Sequence, residues 1–154
     1  MTPSLRHFSF NAMGSHCEIQ FFDDSRVYAK RLAKKLADEA NRLENKYSRF
    51  KSDSFLSQIN AQAGSKNGIK IDQETKLLFD HALTCYEQSE GLFDITSGRL
   101  SRIWNFKGGQ IPDQKLIASA LNNTGFEKLS WHQSKLLIPE GMEIDFGGIV
   151  KEYA

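Results

Sequence analysis

From Arg26 to Phe50, apolar residues return at three- and four-residue steps: Tyr28, Leu32, Leu36, Ala40, Leu43, Tyr47 and Phe50. That period puts them on one side of an α-helix, with Lys34, Lys35, Asp38, Glu39 and Arg42 mostly off it. At 1.5 Å per residue such a helix runs for roughly 35 Å, so its apolar stripe needs a long partner surface. The stretch before it, "HFSFNAMGSHCEIQFF", has the other period. Phe8 and Phe10, then Cys17, Ile19 and Phe21, alternate in part around Met13-Gly14, and Gly14 supplies a turn between two short strands.

The rest of the chain mixes the two periods without alternating them regularly. "KSDSFLSQINAQAG" reads as a short helix capped by Ser52 or Asp53 and stopped at Gly64. In "KIDQETKLLFDHALTCYEQSEG", Asp72 is the expected N-cap. Leu77, Leu78, Ala82, Cys85 and Tyr86 form the expected apolar side, and Gly91 ends the helix in the left-handed conformation. "LFDITSGRLSRIWNF" is an extended piece and then a short helix carrying Leu100, Ile103 and Trp104. "IPDQKLIASALNNTG" is a further helix, with Pro112 near its start and Gly125 near its end. "EKLSWHQSKLLIPEGMEIDFGG" predicts two or three short strands. This order favours an α+β fold over a doubly wound sheet.

At 154 residues the chain is one domain or part of a larger one. With 40% hydrophobic and 25% charged residues, it reads as soluble and globular. Twenty Lys+Arg against nineteen Asp+Glu leave a net charge of +1, which argues against a nucleic acid as the main partner. Cys17 and Cys85 stand alone. They are expected as free thiols, a disulfide between them remaining open, and the histidines show no ligand spacing that would make a zinc site. No apolar run is long enough to span a bilayer. "MTPSLRHFSF" lacks the pattern of a signal peptide. A cytoplasmic protein, or a periplasmic-facing one whose export signal is absent, reads this way.

Four stretches are candidates for chemistry. Met13, beside Gly14 in a turn, can press a polarizable side chain on a flat ring; an ordinary turn is the competing reading. In "YSRFKSDS", Tyr47 and Phe50 can stack on a ring and Arg49 offers charge, unless both aromatics only close the helix face. In "SEGLFDITSG", Asp94 sits between apolar neighbours. It must be paired or hydrogen-bonded, either to a ligand or to local backbone as a helix cap. In "EIDFGGIVKEYA", Gly147, Gly148 and Lys151 stand where a strand-like segment passes into a helix. Such a junction lets the backbone approach a phosphate and adds a full positive charge. This is neither a Walker A nor a dinucleotide fingerprint.

Taken in order, "AMGS", "YSRFKSDSFLSQIN", "GLFDITSGRLSRIWNF" and "EIDFGGIVKEYA" resemble the ApbE-type FAD:protein FMN transferases, from Ala12 to Ala154. The resemblance implies a mixed, mainly antiparallel sheet flanked by helices. It implies a reaction in which FAD is cut at its pyrophosphate, FMN passes to a threonine of a target protein and AMP is released, with Mg²⁺. Target proteins of that family include subunits of membrane redox complexes. Carried over position by position, it assigns FAD contacts to Met13, Phe50, Leu92, Phe93, Asp94, Gly148 and Lys151. It makes the Val150 main-chain carbonyl a magnesium ligand. Phe50 stands where Tyr or Trp is usual, Ser15 where Thr is commoner, and Val150 where a small residue is usual. Family members run to roughly twice this length, so residues 1–154 are expected to form the N-terminal part of such a domain, the fold being incomplete and inactive alone. No residue is assigned as the catalytic base. Three other readings compete: a non-catalytic flavin-nucleotide-binding module, an FAD pyrophosphatase in which water replaces threonine, and a ligand-free structural domain.

Overall fold

The computed structural model describes residues 4–104 and 108–154. Met1–Pro3, at the start of the segment read for a signal peptide, lie outside the described residues. So do Asn105 and Phe106, at the end of "SRIWNF".

The chain begins with an antiparallel hairpin of β1 (Leu5–Ala12) and β2 (Ser15–Phe22), in register from Leu5 opposite Phe22 to Ala12 opposite Ser15. Its two-residue turn holds both Met13 (φ 53°) and Gly14 (φ 67°) in the left-handed region. Such a turn matches the strands' right-handed twist. A side chain there costs roughly 1–2 kcal/mol, so Met13 is a strained turn residue and not only Gly14's neighbour.

Helix α1 (Arg26–Tyr47) is capped by the Ser25 side chain, which accepts from the Tyr28 N–H. It stops at Tyr47, short of the expected Phe50, because Ser48 turns extended and donates its N–H back to Glu44. Its buried residues are Ala29, Ala33, Leu43 and Tyr47, while Tyr28 and Leu36 are largely exposed. In its first half the stripe is therefore turned by about 100°, one residue's step. The small alanines face the neighbouring structure there.

Helix α2 (Phe55–Ala61) is capped by Ser54, not by Ser52 or Asp53; the Ser54 side chain accepts from the Ser57 N–H. The short strand β3 (Ile69–Lys70) precedes α3 (Gln73–Gln88), capped as expected by Asp72 through the Thr75 N–H. The buried side of α3 is Thr75, Leu78, Phe79 and Ala82, so Phe79 replaces Leu77 among the expected positions. Then come α4 (Gly98–Ile103), α5 (Gln114–Asn122), a single 3₁₀ turn, β4 (Ser130–His132), β5 (Lys135–Leu137) and α6 (Val150–Tyr153).

The fold is α+β, as the order of elements predicts. Among the described residues the strands form two separate antiparallel sheets, the hairpin and a three-stranded sheet in the order β3-β5-β4. Two residues of β3 carry too little periodicity to be read from sequence. "EIDF" is not a strand: Glu143 makes one parallel bridge to Ser97, and the Asp145 N–H donates to the Ile95 carbonyl at 2.7 Å. The Asn60 side chain bonds both backbone groups of Ile144, at 2.8 and 2.9 Å, and Ile144 and Phe146 are completely buried.

Phe146 is central to the core. Tyr47 meets it edge-on at 5.4 Å between ring centroids and Phe79 at 5.2 Å, both geometries that suit the ring quadrupole. Leu43, Leu78, Ile95, Leu136 and Ile144 fill the space around them. The core thus runs directly beneath the segment that leads into α6.

Candidate functional site

Three chain segments meet around a cavity of about 380 Å³. The β1–β2 turn contributes Met13 and Gly14, the end of α1 and the following turn contribute Tyr47, Arg49 and Phe50, and the approach to α6 contributes Asp145, Gly147, Val150 and Lys151.

The geometry of each wall follows from local sequence. Tyr47 is buried, with its hydroxyl 2.9 Å from Thr75 Oγ1. Burial pushes that hydroxyl's pKa up. After Tyr47 the helix is finished, so Phe50 lies on a turn held by its own N–H to Ser48 Oγ at 3.2 Å. Phe50 is 84% exposed, and the Arg49 guanidinium lies 4.5 Å from its ring centroid. Asp145 is mostly buried. Its Oδ1 accepts from the Gly147 N–H at 2.8 Å, and its Oδ2 lies 3.3 Å from Arg49 Nε. Lys151 Nζ donates to Ser15 Oγ at 2.8 Å and so ties α6 to the hairpin.

Met13, Phe50, Val150 and Lys151, four of the residues assigned by resemblance, therefore come together on this cavity. Gly148 is adjacent: a Cβ there would sit 2.7 Å from Phe93 Cε2, so glycine is what allows Phe93 to pack against the loop. Phe93, Leu92 and Asp94 do not line the cavity. They belong to a loop bent by Glu90 (φ 54°) and Gly91 (φ 82°), in which Leu92 is 92% exposed.

Asp94 is bonded within the protein. Its Oδ1 accepts from the Thr96 N–H at 2.7 Å and Thr96 Oγ1 at 2.6 Å, and its Oδ2 from the Phe126 N–H at 3.1 Å. The α4 cap residue Ser97 makes no side-chain cap bond, so Asp94 closes a turn and anchors Phe126 instead of capping a helix. The sequence reading gave no position to Glu44, which also lines the cavity, nor to the pairing of Arg49 with Asp145. Only the spatial return of "EIDF" to the end of α1 reveals that pair.

Magnesium wants near-octahedral oxygen coordination, usually with a carboxylate. The Val150 carbonyl already accepts from the Ala154 N–H at 3.2 Å, with one lone pair left. The nearby Asp145 carboxylate is taken by Gly147 and Arg49. Among the described residues no group of three or more His, Cys, Asp and Glu is placed to hold a metal. These residues by themselves do not make up a magnesium site.

An α+β unit with a cleft of about 380 Å³, walled by a hairpin turn, a helix end and a diglycine loop, is the class that fold and site define. Comparison with known proteins narrows it: residues 13–154 match the model of the ApbE family, and the chain belongs to that family. It is 30% identical over 111 residues to an FAD:protein FMN transferase of Treponema pallidum, a match that spans 66% of this chain and 30% of the relative. With the Chlamydia pneumoniae protein of the same name it shares 29% over 119 residues, 74% of this chain and 38% of that one. Among solved structures, the ApbE protein of Thermotoga maritima superposes with a TM-score of 0.87 at 25% identity, covering 97% of this chain and 50% of that one. The flavinyl transferase ApbE of Pseudomonas stutzeri shares the fold, with a TM-score of 0.86 at 23% identity, covering 99% and 52%. The chain thus spans about half the length of these solved structures.

Proposed function

We propose that this chain takes part in Mg²⁺-dependent transfer of FMN from FAD to a threonine hydroxyl of a target protein, with release of AMP. What supports the reading is the convergence of the hairpin turn, the end of α1 and the approach to α6 on one cavity, in a chain of the ApbE family. In this reaction the threonine oxygen bonds to the FMN phosphorus as the pyrophosphate P–O bond breaks. The bridging oxygen and its electron pair leave with AMP, and the hydroxyl proton goes to a base. Positioning and charge neutralisation carry most of such a transfer.

On this reading Lys151 offers a positive charge to the pyrophosphate, and Gly147 and Gly148 let the backbone approach it. Met13 and Phe50 cover a ring from opposite walls. Leu92 and Phe93 contribute an apolar loop next to Gly148. Asp94, its carboxylate occupied, acts by holding that loop in shape. The Val150 carbonyl would be one ligand to Mg²⁺, which needs further oxygen ligands that the described residues do not supply. The target is a polypeptide, with a subunit of a membrane redox complex as one candidate. No helix among the described residues is long and apolar enough to cross a membrane.

Titrating the chain with FAD tests this reading. Saturable quenching of flavin fluorescence is expected, weakened on the order of tenfold by Lys151→Met, which removes one charged contact. Absence of saturable binding overturns it. With FAD, Mg²⁺ and an acceptor peptide, the 154-residue chain is expected to leave no fluorescent band in a denaturing gel, because its described residues do not complete the metal site. A band would show that they do.

A further inference from the structure

Arg49 touches two walls of the cavity at once. Its guanidinium carbon lies 4.5 Å from the centroid of Phe50, and its Nε lies 3.3 Å from Asp145 Oδ2. The other Asp145 oxygen holds the Gly147 N–H at 2.8 Å, which fixes the start of the diglycine loop. A chain of three contacts therefore runs from the exposed ring to the loop that leads into Lys151. Arg49 also lines a second cleft, of about 470 Å³, beside Asn60, Arg99 and Glu143. Arg49 therefore borders both spaces.

Each partner needs Arg49 for its own reason. Phe50 is 84% exposed, so little else orders its ring, and a flat cation is held over a ring by the ring's quadrupole. The Asp145 side chain is only 17% exposed and the Arg49 side chain 22%, so both charges are largely desolvated and each would be costly without the other. The fork of a guanidinium allows one side chain to serve both partners, which a point-charge ammonium does less well.

We propose that Arg49 is a positioning residue for flavin-nucleotide binding, acting through Phe50 and through Asp145 to fix the spacing between the ring-covering wall and the glycine loop. This rests on the FAD reading above, and its test carries a readout that does not. Arg49→Met, Arg49→Lys, Asp145→Asn and the Arg49→Met/Asp145→Asn double variant are compared with the wild-type chain, with circular dichroism to confirm folding. The first measurement is hydrogen exchange at the Gly147 amide, without ligand. Exchange is expected to rise on the order of tenfold in Arg49→Met, as expected when one charged contact of a partly buried pair is lost, and less in Arg49→Lys. The second is the dissociation constant for FAD. It is expected to rise about tenfold in Arg49→Met, with the double variant no weaker than the worse single variant, the sign of residues acting as one unit.

Unchanged Gly147 exchange in a folded Arg49→Met chain overturns the proposal, whatever FAD does. Additive losses of FAD affinity in the double variant overturn it as well. If the wild-type chain does not bind FAD, the flavin reading falls, and with it Arg49's role for that ligand. The exchange result still decides whether Arg49 holds the loop. If Arg49→Met does not fold, Arg49→Lys and Asp145→Asn carry the comparison. Tenfold changes in neither of them then overturn it.

Discussion

The cavity has one wall built on the core and another on the hairpin, and the two are held very differently. The approach to α6 rests on Ile144, Phe146 and Ile149, all buried, with Phe146 clasped by Tyr47 and Phe79. Of the residues in β1 and β2, only Ala12 is buried. Phe10, Cys17 and Ile19 face α1 across a further space of about 300 Å³, and the hairpin's best ring contact, Phe8 on Phe21 at 5.8 Å, is internal to it. A ligand between these walls would meet one preset surface and one that has to be brought to it. The region where sequence runs are least periodic is the better ordered by packing.

The largest test of that difference is Phe146→Ala. Emptying a fully buried ring costs about 3–5 kcal/mol, close to the whole stability of many domains. Phe8→Ala, on a half-buried ring in the hairpin, is expected to cost about a third of that, since its lost burial is partial. Chemical denaturation of both variants checks the ratio. Equal costs would mean that the hairpin is as much a part of the core as Phe146.

Asp94 comes next. Replacing it by Ala strands three donors, the Thr96 N–H, the Thr96 hydroxyl and the Phe126 N–H, and Thr96 is fully buried. A loss of about 2–4 kcal/mol is expected: an unsatisfied buried group costs about 1–3 kcal/mol, and the three bonds are only part-buried, so water replaces some of them. If Asp94→Ala unfolds at the wild-type denaturant midpoint while FAD binding disappears, the carboxylate is a ligand group and not an internal tether.

Periodicity made much of this fold legible. The hairpin, α1, α3 and α5 show a clean period or a cap with a side-chain acceptor, as at Asp72. Where local signals compete, position slipped: Ser52, Asp53 and Ser54 are all good caps, and only the burial of Leu56 and Ile59 selects Ser54. The exposure of Leu36 and the burial of Ala33 follow from where the hairpin lies, which no helical period encodes. For the site, motif order brought Met13, Phe50, Val150 and Lys151 to one cavity. The Arg49–Asp145 pair was illegible because its members are joined only by the fold.

The next test is electrostatic. Lys46 bridges Asp72 and Glu74, and Arg42 adds contacts to Glu74, joining α1 to the start of α3 at the surface. The hydrogen bond from Arg42, and then that from Lys46, hold the Glu74 carboxyl at about 2. For Asp72 partial burial works in the opposite direction, but bonds from Lys46 and Thr75 outweigh it and also bring the pKa to about 2. Both folded values are depressed, so the stability they confer is present above the unfolded values, near 4, and is lost as the pH falls through 2. With Asp72 54% exposed and its share discounted for solvent, about 2 kcal/mol is expected to disappear between pH 5 and pH 2. Lys46→Met should flatten that part of the stability-against-pH curve. An unchanged slope in Lys46→Met would show that the network contributes nothing there.

The smallest effect is the most telling about the hairpin wall. Lys151 Nζ to Ser15 Oγ, at 2.8 Å, is a direct bond between the two walls of the cavity, and it lies at the surface. A hydroxyl donates or accepts there with water as a ready substitute, so Ser15→Ala is expected to cost less than about 1 kcal/mol in global stability. Its local consequence should be larger. Met13 sits at φ 53° in the turn next to Ser15, a conformation that persists only where the surroundings enforce it. Loosening the Ser15 contact gives the turn freedom to relax, so the amides of Ala12 and Ser15, the pair that closes the turn, should exchange faster in Ser15→Ala, while that of Ile144, bonded to Asn60 Oδ1 at 2.8 Å, should not change. Ser15→Thr keeps the hydroxyl and should behave as wild type. If Ser15→Ala leaves the turn amides as protected as before, the hairpin is held by its own register and its packing on α1. The two walls would then be independent until a ligand spans them.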